Sequence, residues 1–109
     1  MKFRIKMPQG RRNWSMTVKL GGKDYKLSAR WSMVSQMYFV TMTHEGVVIL
    51  SNKGLTVMTD LLATTRLFVG TVKLMPKNGA VDAKAIRKAT PTPDNLNIDN
   101  ELIYETDTI

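Results

Sequence analysis

The sequence contains no cysteine, so a disulfide framework, thiolate catalysis and Cys-ligated zinc are excluded by counting. Its single histidine, His44, leaves imidazole acid–base chemistry only one candidate. No uninterrupted apolar run approaches the roughly 20 residues that a membrane-spanning helix needs. The opening stretch MKFRIKMPQGRR never runs more than one apolar residue before the next charge or turn former. It lacks the apolar core of a secretory signal, and without one the glycosylation-like NWS at Asn13 carries no weight. Bases are missing from the other end: from Asp94 onward there are five acids (Asp94, Asp99, Glu101, Glu105, Asp107) and not one Lys or Arg.

What is present is a chain of 109 residues, the size of one small domain, and we expect a single β-domain over 1–109. With 43% apolar and 23% charged residues it can fill a modest core and cover it with an ordinary soluble surface, so disorder throughout is not expected. The net charge of +7 is unevenly spread. Residues 1–30 hold nine Lys and Arg against Asp24 alone. Such polarity suits an acidic partner at one end, or a ring in which the basic end of one copy meets the acidic tail of the next.

Trp14, Met16, Val18 and Leu20 alternate with polar residues, Gly21 and Gly22 follow, and Tyr25, Leu27, Ala29 and Trp31 alternate again. This predicts a β-hairpin whose glycines supply the positive φ angles of a tight turn. QMYFVTMT and VVILS, split by HEG, predict a second hairpin, and NKG at Asn52–Gly54 reads as a further turn. LTVMTDLLATTRLF reads as irregular chain with a helical turn near Asp60–Ala63. LFVGTVKLM predicts another strand, ended by Pro76 and NG. VDAKAIRKA fits either a short helix capped by Asp82 or exposed chain, and residues 76–92 are expected as an exposed loop. TPTPDNLN is turn-rich, and ELIYET predicts a last strand with Leu102 and Tyr104 on one side, ahead of an acidic tail at 105–109. The sum predicts an all-β single small antiparallel β-sandwich or barrel of about six or seven strands, with at most one or two short helical turns.

No catalytic, cofactor-binding or metal-binding residue set emerges, and neither an enzyme nor a cofactor is expected. His44 sits beside Glu45 in a predicted exposed turn with no evident partner for catalysis. Asn95, Asn97 and Asp99 have the alternation of a calcium loop, but Asn100 stands where that loop needs Gly and Thr106 where it needs Glu. Turn-forming Asx residues are the plainer account. Basic residues with Trp14, Tyr25 and Trp31 are also the ingredients of a small β-barrel binding single-stranded nucleic acid. The alternation puts those aromatics on the core side and Lys19, Lys26 and Arg30 on the opposite face, with Lys23 beside the turn counted to the same basic face as Lys19 and Lys26, so this stands as the alternative function, with an accessory domain of an enzyme as a third. Eight methionines could fill the core or form an adaptable interface. Trp31 is expected as a core anchor whose truncation to Ala costs about 3–5 kcal/mol, and Arg30 as a surface group pairing with an acid such as Asp60 or meeting a neighbouring subunit.

The order of a hairpin ending in YKLSARW, the strand MYFV, DLL at Asp60–Leu62, PTPDNL and a last strand with LIY resembles the small baseplate plug proteins of contractile-tailed bacteriophages, over Asn13 to Glu105. On this resemblance Arg30 and Trp31 match the hairpin corner, and Asp60, Leu61 and Leu62 the central turn. Thr92, Asp94, Asn95 and Leu96 match the late turn and Tyr104 the final aromatic, and on this resemblance the matched residues, Asn95 aside, are the candidates for contact with a partner. Ser32 stands where Asn is usual and Tyr38 where Trp is usual, and residues 76–90 are longer and more basic than the family pattern. The resemblance implies a non-enzymatic structural subunit, made in the bacterial host cytoplasm and built into the virion at the central hub of the tail baseplate. It implies other baseplate, hub, tube or spike proteins as partners, a symmetric homo-oligomer and no membrane, with nucleic acid met only non-specifically.

Overall fold

A computed structural model describes residues 1–63, 65, 69–79 and 81–106. Seven strands form two antiparallel sheets: β1 (Lys2–Ile5), β2 (Asn13–Leu20), β3 (Lys23–Ser32), β4 (Met37–His44), β5 (Val47–Gly54), β6 (Thr71–Pro76) and β7 (Asn100–Glu105). One sheet runs β2-β3-β4-β5 and the other β1-β7-β6, packed as an unclosed sandwich, the all-β architecture expected. No helix among the described residues is long and apolar enough to cross a membrane.

The first hairpin forms as its alternation dictates. Pairs Trp14↔Ala29, Met16↔Leu27 and Val18↔Tyr25 put every apolar residue of both strands on one face, and the ladder continues through Ala29↔Val40 and Leu27↔Met42 into β4. From the facing sheet, Val72, Leu74, Leu102 and Tyr104 complete the core. Leu55, Leu61, Leu62 and Leu96 enter it from loops, and Met7 from the β1–β2 connection.

Four expectations are corrected. Lys2–Ile5, not foreseen as a strand, pairs along its whole length with β7, from Lys2↔Glu105 to Ile5↔Leu102. Asn52–Gly54 is not a turn but the end of β5. A register shift between Val40 and Met42 forms a bulge, and Asn52 takes φ of 47°, which an Asx side chain tolerates, its amide donating to Thr41 Oγ1 at 3.1 Å. Residues 76–92 are not simply an exposed loop. A 3-10 turn (Lys77–Gly79) and helix α1 (Ala83–Ala89) form there, Asp82 caps the helix by accepting from the Ala85 amide at 2.8 Å, and Pro76, Ala89 and Pro91 are buried. Of the expected acidic tail, Glu105 belongs to β7 and Thr106 is buried with its amide on the Met1 carbonyl, while 107–109 lie outside the described residues.

The segment 57–61 runs along the outer side of β6. The Met58 amide donates to Leu74 O and the Leu61 amide to Val72 O, so this sheet edge is covered by the chain itself.

Candidate functional site

The residues singled out by sequence divide into a structural set and a surface set. Leu61, Leu62, Leu96 and Tyr104 are buried, so as partner-contact candidates they are corrected: a side chain consumed by the core has no face for another protein. Asp60 is a loop clamp, its Oδ1 accepting from the amides of Leu62 and Val72, each at 3.0 Å. The Tyr104 hydroxyl donates to the Val69 carbonyl and accepts from the Gly21 amide at 3.1 Å, tying the β2–β3 turn to the opposite sheet. The turn is tight there: Gly21 sits at φ of 58°, and a Cβ on it would lie 2.7 Å from Val69 Cγ1.

The late turn is held by asparagines. Asn95 Oδ1 accepts from the Thr92 amide at 2.8 Å, and its Nδ2 donates to Thr90 O at 2.9 Å. Buried Asn100 donates from Nδ2 to Ala89 O at 3.0 Å, and Asn97 exchanges two hydrogen bonds with the Met7 backbone. These side chains are engaged as turn formers, and Thr92 and Asn95 belong to that scaffold. Asp94 is exposed beside them.

The surface set lies on the first hairpin. Lys19, Lys26 and Arg30 are exposed on its outward face, and Lys23, opposite Leu20 beside the turn, is exposed at the end of the hairpin. Arg30 does not pair with Asp60. Its guanidinium lies 5.5 Å from the centroid of Phe39, its cross-strand neighbour, as a cation–π contact. Trp31 packs against the core but is half-buried instead of a full core anchor, because it lies next to the end of the β3–β4 ladder, opposite Tyr38. The two rings meet edge-on with centroids 5.0 Å apart, and the Trp31 amide donates to Arg12 O at 2.9 Å. Trp14 and Tyr25 are only 6% and 3% exposed, which removes both rings from any stacking role.

Two features of this region were not legible. Tyr38 is fully buried and donates to Arg11 O at 2.6 Å; burial pushes its phenol pKa up, the Trp14 indole opposes this, and the Asp94 carboxylate adds to the rise. The Trp14 N–H itself meets no acceptor at hydrogen-bonding geometry. His44 is not in the exposed turn but ends β4, half-buried, with its ring 4.8 Å from that of Tyr25. Because a carbonyl can only accept, His44 Nδ1 carries the proton it shares with Asp24 O at 2.9 Å.

The charges sort themselves by location. Three of the five acids near the C-terminus meet bases of the same chain: Lys2–Glu105 at 3.9 Å, Arg4–Glu101 at 3.0 Å and Lys88–Asp99 at 3.7 Å. Among the described residues, none of Lys19, Lys23, Lys26, Arg11 or Arg12 has such a partner.

Fold and surface together define a class: a small two-sheet β-sandwich whose polar side chains hold its own loops and whose hairpin carries exposed lysines with no ion-pair partner among the described residues. Within that class, residues 3–107 match the family model described as cyanophage baseplate Pam3 plug gp18, and the chain belongs to that family. Membership places the protein in the tail baseplate of the virion as a structural component. No curated protein matches the sequence.

Proposed function

We propose that the chain docks at the central hub region of the baseplate through protein–protein contacts made by its basic hairpin face, Lys19, Lys23 and Lys26, and by the adjoining corner at Arg30 and Trp31. One observation carries this reading: three of the five acids near the C-terminus are paired with bases of the same chain, while these hairpin cations are exposed and, among the described residues, have no acidic partner, which leaves them available to the acids of another molecule. Charge complementarity of this kind steers encounter and fixes register more than it adds raw affinity, which suits a subunit that must seat in one orientation. Hub, tube or spike proteins are the partners in this reading, with symmetric copies of the chain around the tail axis. Acidic side chains of a neighbouring copy contribute less than the charge totals suggest, since Asp99, Glu101 and Glu105 are already engaged. The chemistry is contact, not conversion: the polar groups of the motif residues hold loops. Single-strand nucleic-acid binding loses its stacking platform with Trp14 and Tyr25 buried.

The test is complementation of a phage lacking this gene with the Lys19→Glu/Lys23→Glu/Lys26→Glu variant. Particles should form tails whose baseplates lack the plug in electron microscopy, and infectivity should fall. Complete baseplates with normal infectivity would overturn the reading.

A further inference from the structure

The sandwich has four lateral strand edges, and they are treated differently. The β6 edge is covered by segment 57–61, and the β5 edge is broken by its bulge and by Asn52 at positive φ. The edges of β1 and β2 have neither device, and among the described residues no backbone group outside their sheets pairs with them. Both open onto one groove of roughly 710 Å³.

The lining of this groove is diagnostic. Phe3, Arg4 and Ile5 come from β1, and Thr17, Val18 and Lys19 from β2. On the face of a strand only alternate residues can line a cavity, because successive side chains point to opposite sides. Three consecutive residues from each strand mean that the groove runs along the two edges, where unpaired amides and carbonyls are presented. The floor is apolar, from Phe3, Ile5, Val18 and Val69; Lys19 stands on it as a cation with no ion-pair partner among the described residues, Arg4 is already paired with Glu101, and no acidic residue lines the groove.

We propose that this groove binds an extended acidic segment of a partner protein, which adds as a strand between β1 and β2 and bridges the open side of the sandwich. Main-chain hydrogen bonds to the free edges supply affinity, and the alternation of the entering strand supplies specificity, apolar side chains facing the floor and a carboxylate reaching Lys19. At about 3.3 Å per residue, three edge residues give about 10 Å of groove, enough for three or four residues of the guest. A second copy presenting the same edges is disfavoured, because the lining it would bring contains no acid to meet Lys19. The proposal rests on the reading that the chain docks proteins, and it names the chemistry of one such partner.

The probe is a short synthetic peptide alternating Asp or Glu with Val, added to the purified full chain, with amide hydrogen exchange followed by NMR. Slowed exchange in both Lys2–Ile5 and Asn13–Leu20 is expected. Lys19→Glu should weaken binding about tenfold, as raised salt should. A peptide of the same composition interrupted by Pro, and one with Lys replacing the acids, should not bind. Protection elsewhere, equal binding of the Pro-interrupted peptide, or edges protected without peptide as protein concentration rises would each overturn the proposal. So would a single-stranded oligonucleotide that protects the same amides and displaces the peptide. Particle assembly with Lys23→Glu/Lys26→Glu, which leaves Lys19 and the groove lining intact, is a separate readout: peptide binding with intact baseplates in that double variant removes the docking reading and keeps the groove, while defective baseplates with no peptide binding to the native chain remove the groove alone.

Discussion

Tyr104 and Tyr38 use their phenols differently, although both are buried aromatics of the same core. The Tyr104 hydroxyl is a clip between sheets, donating to Val69 O and accepting from Gly21 N–H, while its ring stacks on Phe3 at 6.0 Å. Tyr104→Phe retains the ring and removes only the clip, leaving two backbone groups without their partner. A loss of about 1–3 kcal/mol is expected, read as a lowered urea midpoint at unchanged slope. For Tyr38 the observable is pH. Its folded pKa lies above the ordinary 10.0, so its contribution is fully present below pH 10.0 and is lost as pH rises through the folded value. Stability measured against alkaline pH should therefore fall more steeply in the native protein than in Tyr38→Phe. Equal alkaline slopes would show that ionisation of this phenol is not linked to unfolding. Trp31 is a third case. Half-buried and covered chiefly by Tyr38, it should lose less on truncation to Ala than the 3–5 kcal/mol typical of a fully buried tryptophan, about 2 kcal/mol by the area it removes from water.

At the scale of elements, what could be read from the sequence was what short-range alternation encodes. The hairpin of β2 and β3 follows from eight alternating apolar positions and a Gly-Gly turn, and β7 from Leu102 and Tyr104. β1 was missed because its alternation, Phe3 and Ile5 between Lys2, Arg4 and Lys6, is short, and its pairing partner lies at the far end of the chain. The asparagine scaffold was only partly visible. That Asn95, Asn97 and Asn100 form turns is local chemistry, whereas the grip of Asn97 on Met7 spans a sequence separation of 90. The interface candidates show the same limit: a motif such as Asp60-Leu61-Leu62 is equally well a loop clamp with two core leucines, and only the fold decides. The segment 83–89 left two states open because Ala, Lys and Arg favour a helix without supplying an apolar face. The cap settles it, together with burial of Ala89 and its bond from Asn100. Asp82→Ala should cost about 1 kcal/mol, confined to this helix, and speed hydrogen exchange at the Ala85 and Ile86 amides while leaving the sheets unchanged.

For the whole molecule, the arrangement of charge separates what holds the fold from what reaches beyond it. The three intramolecular ion pairs are largely exposed on their basic side, with Lys2, Arg4 and Lys88 each about seven-tenths accessible, so each contributes little to stability and most of that is screened by salt. Among the described residues the hairpin lysines make no ion pair. Reversing Lys19, Lys23 and Lys26 to Glu moves the net charge from +7 to +1, which lowers the self-repulsion of the compact state. The one local cost lies at position 19, where a glutamate would stand directly opposite Asp24 in the register, worth about 0.2–1 kcal/mol of repulsion. These two effects oppose each other and neither involves the core. The triple variant should therefore unfold within about 1 kcal/mol of the native chain, while failing to seat in the baseplate. Chemical denaturation of the purified variant checks the first half and particle assembly the second. A variant destabilised well beyond that margin would mean that the lysines serve the hairpin itself, and its assembly defect would then report unfolding instead of a lost contact surface.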